Sequence, residues 1–127
     1  MVSDKPRIAA EQAGVPLPRG YQEVRGLNIV SLPPWHLLTD DEFDYLFAGL
    51  NERHPHRRVI PFARRADNDD VACFVVSDPD QPAGQVIVVH DFASPGYEVV
   101  KRLRNCWEWL RYAVGEMIER HEAVPDS

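Results

Sequence analysis

Two cysteines, Cys73 and Cys106, are all that the 127-residue chain contains, and no Cys-x-x-Cys spacing links them. A disulfide-dense scaffold is thereby excluded, and two thiols cannot form a zinc site without histidine help. Both lie in apolar contexts, "VACFVV" and "RNCWEWL", so they are expected as buried free thiols behaving as small hydrophobes. Positive charge is also in deficit, with 14 Lys and Arg against 20 Asp and Glu and a formal net charge of -6. A nucleic-acid binder needs a basic face to displace phosphate counterions, so that class is disfavoured, whereas a basic protein partner is compatible. No apolar run approaches the roughly 20 residues of a membrane span. The start, "MVSDKPRIAAEQAG", lacks a basic segment followed by an apolar one, so a cytoplasmic protein without a membrane partner is expected. Missing too are a phosphate-cradling glycine loop, a serine elbow and a paired-cysteine motif, which sets aside the well-marked enzyme classes.

What remains is ordinary globular material. The chain is 44% apolar and 27% charged, close to the average of soluble domains, and its length suits one domain, 1–127, with one shared core. Pro6, Gly14, Pro16, Pro18 and Gly20 crowd the first 20 residues; these breakers predict one helical turn near Ile8 to Ala13 and a weakly structured 1–20 segment. "LNIVSL" reads as a short strand ended by Pro33 and Pro34.

The first strong element is "LLTDDEFDYLFAGLN". Thr39 is a predicted N-cap, Glu42 three residues on completes a capping box, and Leu38 with Phe43 supplies the hydrophobic staple. Phe43, Leu46, Phe47 and Leu50 then recur at the spacing of one buried helical face. Asp40, Asp41 and Glu42 need no ligand, because a helix N-terminus favours negative charge in its first turn. Three strands follow, "RVIPFAR", "VACFVV" and "QVIVVH", separated by "ADNDD" and "SDPDQPAG". Connections this short predict antiparallel pairing. Pro61 cannot donate to a ladder and is placed at an edge, a bulge or a strand end, and "VACFVV" reads as the central strand. Between Val99 and His121 a long amphipathic helix is predicted, with Leu103, Trp107, Leu110, Val114 and Met117 as its buried stripe and Trp109 and Tyr112 away from it.

Chemistry has few candidates. His54 and His56 form the closest histidine pair, but Pro55, Arg53, Arg57 and Arg58 around them predict a solvated basic loop. His90 and Asp91 end a strand, where catalytic groups are common, yet neighbouring side chains on a strand face opposite ways. A small metal-dependent hydrolytic enzyme would draw on His54, His56, His90 and Asp91. Asp67, Asp69 and Asp70 resemble part of a calcium loop, but the later glycine and the distal glutamate are absent.

In order and wording, "LPRGYQEV", "VIPFARRADNDDVACFVV", "GQVIVVHDF" and "WEWLRYAV" resemble the SUKH superfamily, in which an "IPFA" strand leads through an acidic turn to a strand with Cys and Phe, another strand and a terminal helix. The resemblance covers residues 57–120. It implies an α+β fold, with a mainly antiparallel or mixed sheet of about four strands and helices packed on one face. It also implies a non-catalytic protein-binding domain without cofactor or metal. Many bacterial members are immunity proteins that bind and block a cognate toxin domain, and fungal relatives regulate cell-wall synthesis through protein contacts. A basic toxin domain is the expected partner, with a homodimer also compatible. The acidic set Asp67, Asp69, Asp70, Asp78 and Asp80 is the candidate surface, with Trp109 and Tyr112 as anchors.

Overall fold

Residues 2–28, 31–94 and 96–123 are described in a computed structural model. Helix α1, Lys5–Ala13, opens with proline at its start, where a missing N–H costs nothing, and closes on Gly14 in the left-handed region (φ 70°). The segment expected to be weakly structured is therefore a three-turn-scale helix with Ala10 only 1% exposed. Pro6 marks a start there, and the breakers after it shape a packed connection. Gly20 takes φ 86°, and a Cβ there would come within 2.6 Å of the Trp107 ring. Helix α2, Tyr21–Gly26, follows. Of "LNIVSL", residues 29 and 30 lie outside the described residues, and strand β1 is Ser31–Leu32.

Strand β2, Trp35–Leu37, leads into helix α3, Asp40–Arg53. The predicted capping box is present: the Thr39 hydroxyl accepts from the Glu42 amide at 3.3 Å, and the Glu42 carboxylate accepts from the Thr39 amide at 3.1 Å. Phe43, Leu46 and Leu50 are buried on the predicted face. Strands β3, Arg58–Arg65, β4, Asp70–Ser77, and β5, Val86–His90, match the three predicted runs and pair antiparallel. The register shifts between Pro61 and Ala63, so the proline sits beside a bulge, as its missing donor requires.

The sheet has six strands in the order β1-β2-β3-β4-β5-β6, all neighbours antiparallel. About four were expected, and β1 is the end of the predicted "LNIVSL" strand. Of the two extra strands, β2 is too short to leave a pattern, and β6, Val99–Leu103, occupies what the helical periodicity assigned to the last helix. Helix α4 accordingly begins later, Cys106–Glu122, capped by the Asn105 side chain accepting from the Glu108 amide. With Leu103 in a strand, the helical stripe rotates: Cys106, Trp109 and Ala113 are buried, while Trp107 is 41% exposed. The roles expected for the two tryptophans are reversed.

Helices cover the sheet on both faces, not one. Residues 71–75 of β4 are each at most 2% exposed, although successive side chains point to opposite faces. On the Phe74 side, Phe62 and Phe74 meet Tyr21 of α2 and Trp109 of α4 in ring contacts of 4.8 to 5.9 Å. On the Val71 side, α3 supplies Leu46, and its end reaches Asp91 just past β5. Among the described residues no helix is long and apolar enough to cross a membrane.

Candidate functional site

The β3–β4 turn is held by its own side chains. Asn68 Oδ1 accepts from the Asp70 amide at 2.8 Å, the side-chain-to-backbone turn that makes asparagine common there. Asp70 opens β4 opposite His90, the last residue of β5, and its carboxylate lies 2.8 Å from His90 Nδ1. The Asp91 amide donates to the Asp69 carbonyl at 3.0 Å. The turn is thereby tied to the end of β5, and a cavity of about 260 Å³ opens between them and α3.

Carboxylates and aromatics line this cavity. Asp69, Asp70 and Asp91 contribute negative charge, Arg64 positive charge, and Tyr45 and Phe92 stand at its walls. Tyr45 is 64% exposed and Phe92 57% exposed, too much apolar ring in water to be core packing. Asp91 is nearly enclosed and holds Arg53 in a fork, at 2.8 and 2.7 Å. The Arg53 guanidinium lies 4.5 Å from the centre of the Phe92 ring. By contrast, among the described residues neither Asp69 nor Asp70 is engaged by an arginine or lysine.

The predicted acidic set does not form one surface. Asp67 is forked by Arg65 at 2.8 and 2.9 Å, and that bond, with the Arg65 charge, holds its carboxyl below the usual value. Asp78 and Asp80 follow the far end of the eight-residue strand β4, roughly 25 Å from the turn. The Asp78 side chain is fully buried, bound by Arg57 and by Arg102 at 3.0 Å. Asp80 is exposed and 3.8 Å from Arg102. Trp109 is 1% exposed, edge-on to Trp35 and Phe62, so it is a core residue and not a surface anchor. Tyr112 is half-buried beside Trp35, with Lys101 over its ring.

The loop expected to be solvated and basic is instead folded inward. His54 is 4% exposed, with Nε2 at 2.8 Å from the Asp91 carbonyl and Nδ1 at 3.9 Å from Glu98. His56 Nε2 lies 2.6 Å from Glu98, and the 6% exposed Arg57 donates to both Glu98 and Asp78. Burial alone would raise the Glu98 pKa; its backbone hydrogen bond, the bond and charge of Arg57 and the bond to His56 outweigh that and hold it at about 2. His56 thus joins Glu98, His54 is tied to the Asp91 carbonyl, the Asp91 carboxylate is taken by Arg53, and His90 belongs to Asp70. Among the described residues no group of three or more His, Cys, Asp or Glu is placed to hold a metal ion. Cys73 and Cys106 are buried, and desolvation pushes both thiols well above their ordinary range, which suppresses the reactive thiolate.

Sequence reasoning missed Tyr45, Phe92, Glu98 and the buried role of Arg57. Tyr45 carried a signal, since it falls off the Phe43, Leu46, Leu50 face; Glu98 carried none, because its partners are up to 42 positions away in sequence. The cavity can accept a cation from outside, and its rim can stack on one. No protein-family model, no curated protein and no solved structure matches the chain.

Proposed function

We propose that the chain is a non-catalytic protein-binding domain of SUKH type, an immunity-type inhibitor that binds a basic toxin domain and neutralises it. One observation carries the reading: an acid-lined cavity whose carboxylates Asp69 and Asp70 have no Arg or Lys partner among the described residues, flanked by exposed Tyr45 and Phe92. Carboxylates without an arginine or lysine beside exposed aromatic rings suit a partner that brings positive charge and covers the rings. The net charge of -6 acts in the same direction at longer range, speeding encounter with a basic surface. The resemblance of residues 57–120 to SUKH proteins supplies the class of partner.

Calorimetric titration against a toxin domain encoded beside this chain tests the reading. Charge reversal at Asp69 and Asp70 is expected to weaken binding by at least about tenfold and to flatten its dependence on salt. Unchanged affinity and unchanged salt dependence would overturn the surface assignment. A toxin domain that stays active in the presence of excess protein would overturn inhibition itself.

A further inference from the structure

We infer that the cavity between Tyr45 and Phe92 receives one arginine side chain of the basic partner as its anchor. This rests on the reading of that face as the partner-binding surface and adds the group that fills it. Its volume of about 260 Å³ falls just below the ~300–1,000 Å³ of pockets for drug-sized ligands, which suits a single long side chain. Charge sets the sign and the number. Asp69, Asp70 and Asp91 bring three negative charges, while Arg64, also 3.8 Å from Glu42, and the Arg53 held by Asp91 bring two positive ones, the His90 imidazole beside Asp70 being counted neutral. One monovalent cation balances the set.

The chemistry of the walls selects a guanidinium over an ammonium. The molecule already binds one guanidinium this way: Arg53 is forked by Asp91 at 2.8 and 2.7 Å and lies over the Phe92 ring at 4.5 Å. Next to it the cavity offers the same two components a second time, carboxylates on Asp69 and Asp70 and an exposed ring on Tyr45. A planar, weakly hydrated guanidinium can use both at once, whereas the compact lysine ammonium keeps its water and forms no fork. Neither carboxylate has a salt bridge to Arg or Lys among the described residues, Asp70 meeting only His90, so no internal guanidinium or ammonium need be displaced.

The test uses the whole chain and three small probes near neutral pH: N-acetyl-arginine methylamide, the lysine equivalent and the uncharged citrulline equivalent, followed by amide NMR. The arginine probe is expected to shift the amides of Tyr45, Asn68 to Val71 and Phe92 in a saturable way, at least about fivefold more tightly than lysine. Citrulline, which has nearly the same shape but no charge, is expected not to saturate. Asp69→Asn should weaken arginine about tenfold and Tyr45→Ala about threefold; both residues are exposed, and an unchanged melting curve verifies the fold of each variant. No saturable shift with arginine, or equal binding of citrulline, overturns the inference. If the cognate toxin domain shifts these same amides while arginine does not, the anchor falls and the surface reading stands. If the toxin domain shifts a different face, both fall.

Discussion

The two ends of strand β4 are built from the same residue types and behave oppositely. At the end near Asp78, the buried charges meet their opposites: Arg57 joins Asp78 to Glu98, Arg102 holds Asp78 from the other side, and Gln81 is bound to the Val86 and Leu103 carbonyls. At the end near Asp69, the Asp69 and Asp70 carboxylates face a cavity with no arginine or lysine bound to them among the described residues, beside rings left in solvent. Composition does not separate scaffold from site here, since both ends read as arginine and aspartate in loops. Saturation does. A buried network with all its members paired fixes the loops that follow β4 and β5, and removing one member leaves an uncompensated charge in a dry place. An open set with spare acceptors contributes little to stability and can be discharged by a partner.

The largest test of this contrast is Arg57→Ala. It strands Asp78 and Glu98, whose side chains are 0% and 1% exposed, and is expected to cost about 3–5 kcal/mol in urea unfolding; a loss below about 1 kcal/mol would mean that the network is not coupled. Next comes acid. The folded pKa of Glu98, about 2, lies below its ordinary 4.5, so this group stabilises the fold fully above about pH 4.5. That contribution is lost as pH falls from there through 2, amounting to order 3 kcal/mol. Glu98→Gln should remove most of that slope, and an unaltered slope would assign acid sensitivity to other carboxylates. At the open end the expectation inverts: Asp69→Lys should change stability by no more than about 0.5 kcal/mol, yet slow association with the basic toxin domain at low salt. Faster unfolding or marked destabilisation in that variant would place Asp69 in the scaffold. The smallest effect belongs to Asp80→Ala. Its carboxylate is 74% exposed and 3.8 Å from Arg102, so neither stability beyond about 0.5 kcal/mol nor partner binding should respond; altered binding would extend the contact surface to the buried end.

Local elements were legible wherever a short-range rule governs them. The Thr39 and Glu42 capping box and the three strands around two turns each depend on neighbours within a few residues, whereas Pro61 was confined to an edge, a bulge or a strand end and only pairing with β4 made it the bulge. The last helix shows where such rules fail. Val99–Leu103 continues an apolar spacing that also fits a helix, and only pairing with β5 makes it a strand. Once it does, Cys106, Trp109 and Ala113 become the buried stripe, which lets small side chains bring α4 close while Trp109 fills the gap. The site was half legible: "ADNDD" announced the acidic turn, but not that Asp67 is neutralised by Arg65, nor that Tyr45 and Phe92 complete a cavity around Asp69 and Asp70.

By itself, then, the sequence determined the existence and type of the main elements, the antiparallel hairpins and the buried thiols, because these follow from periodicity, caps and turns that span a few residues. Tertiary structure alone decided which tryptophan is core, and which aspartates are spent on arginines and which, among the described residues, are not. Those outcomes depend on groups such as Arg57 and Glu98, 41 positions apart, whose encounter no local pattern encodes.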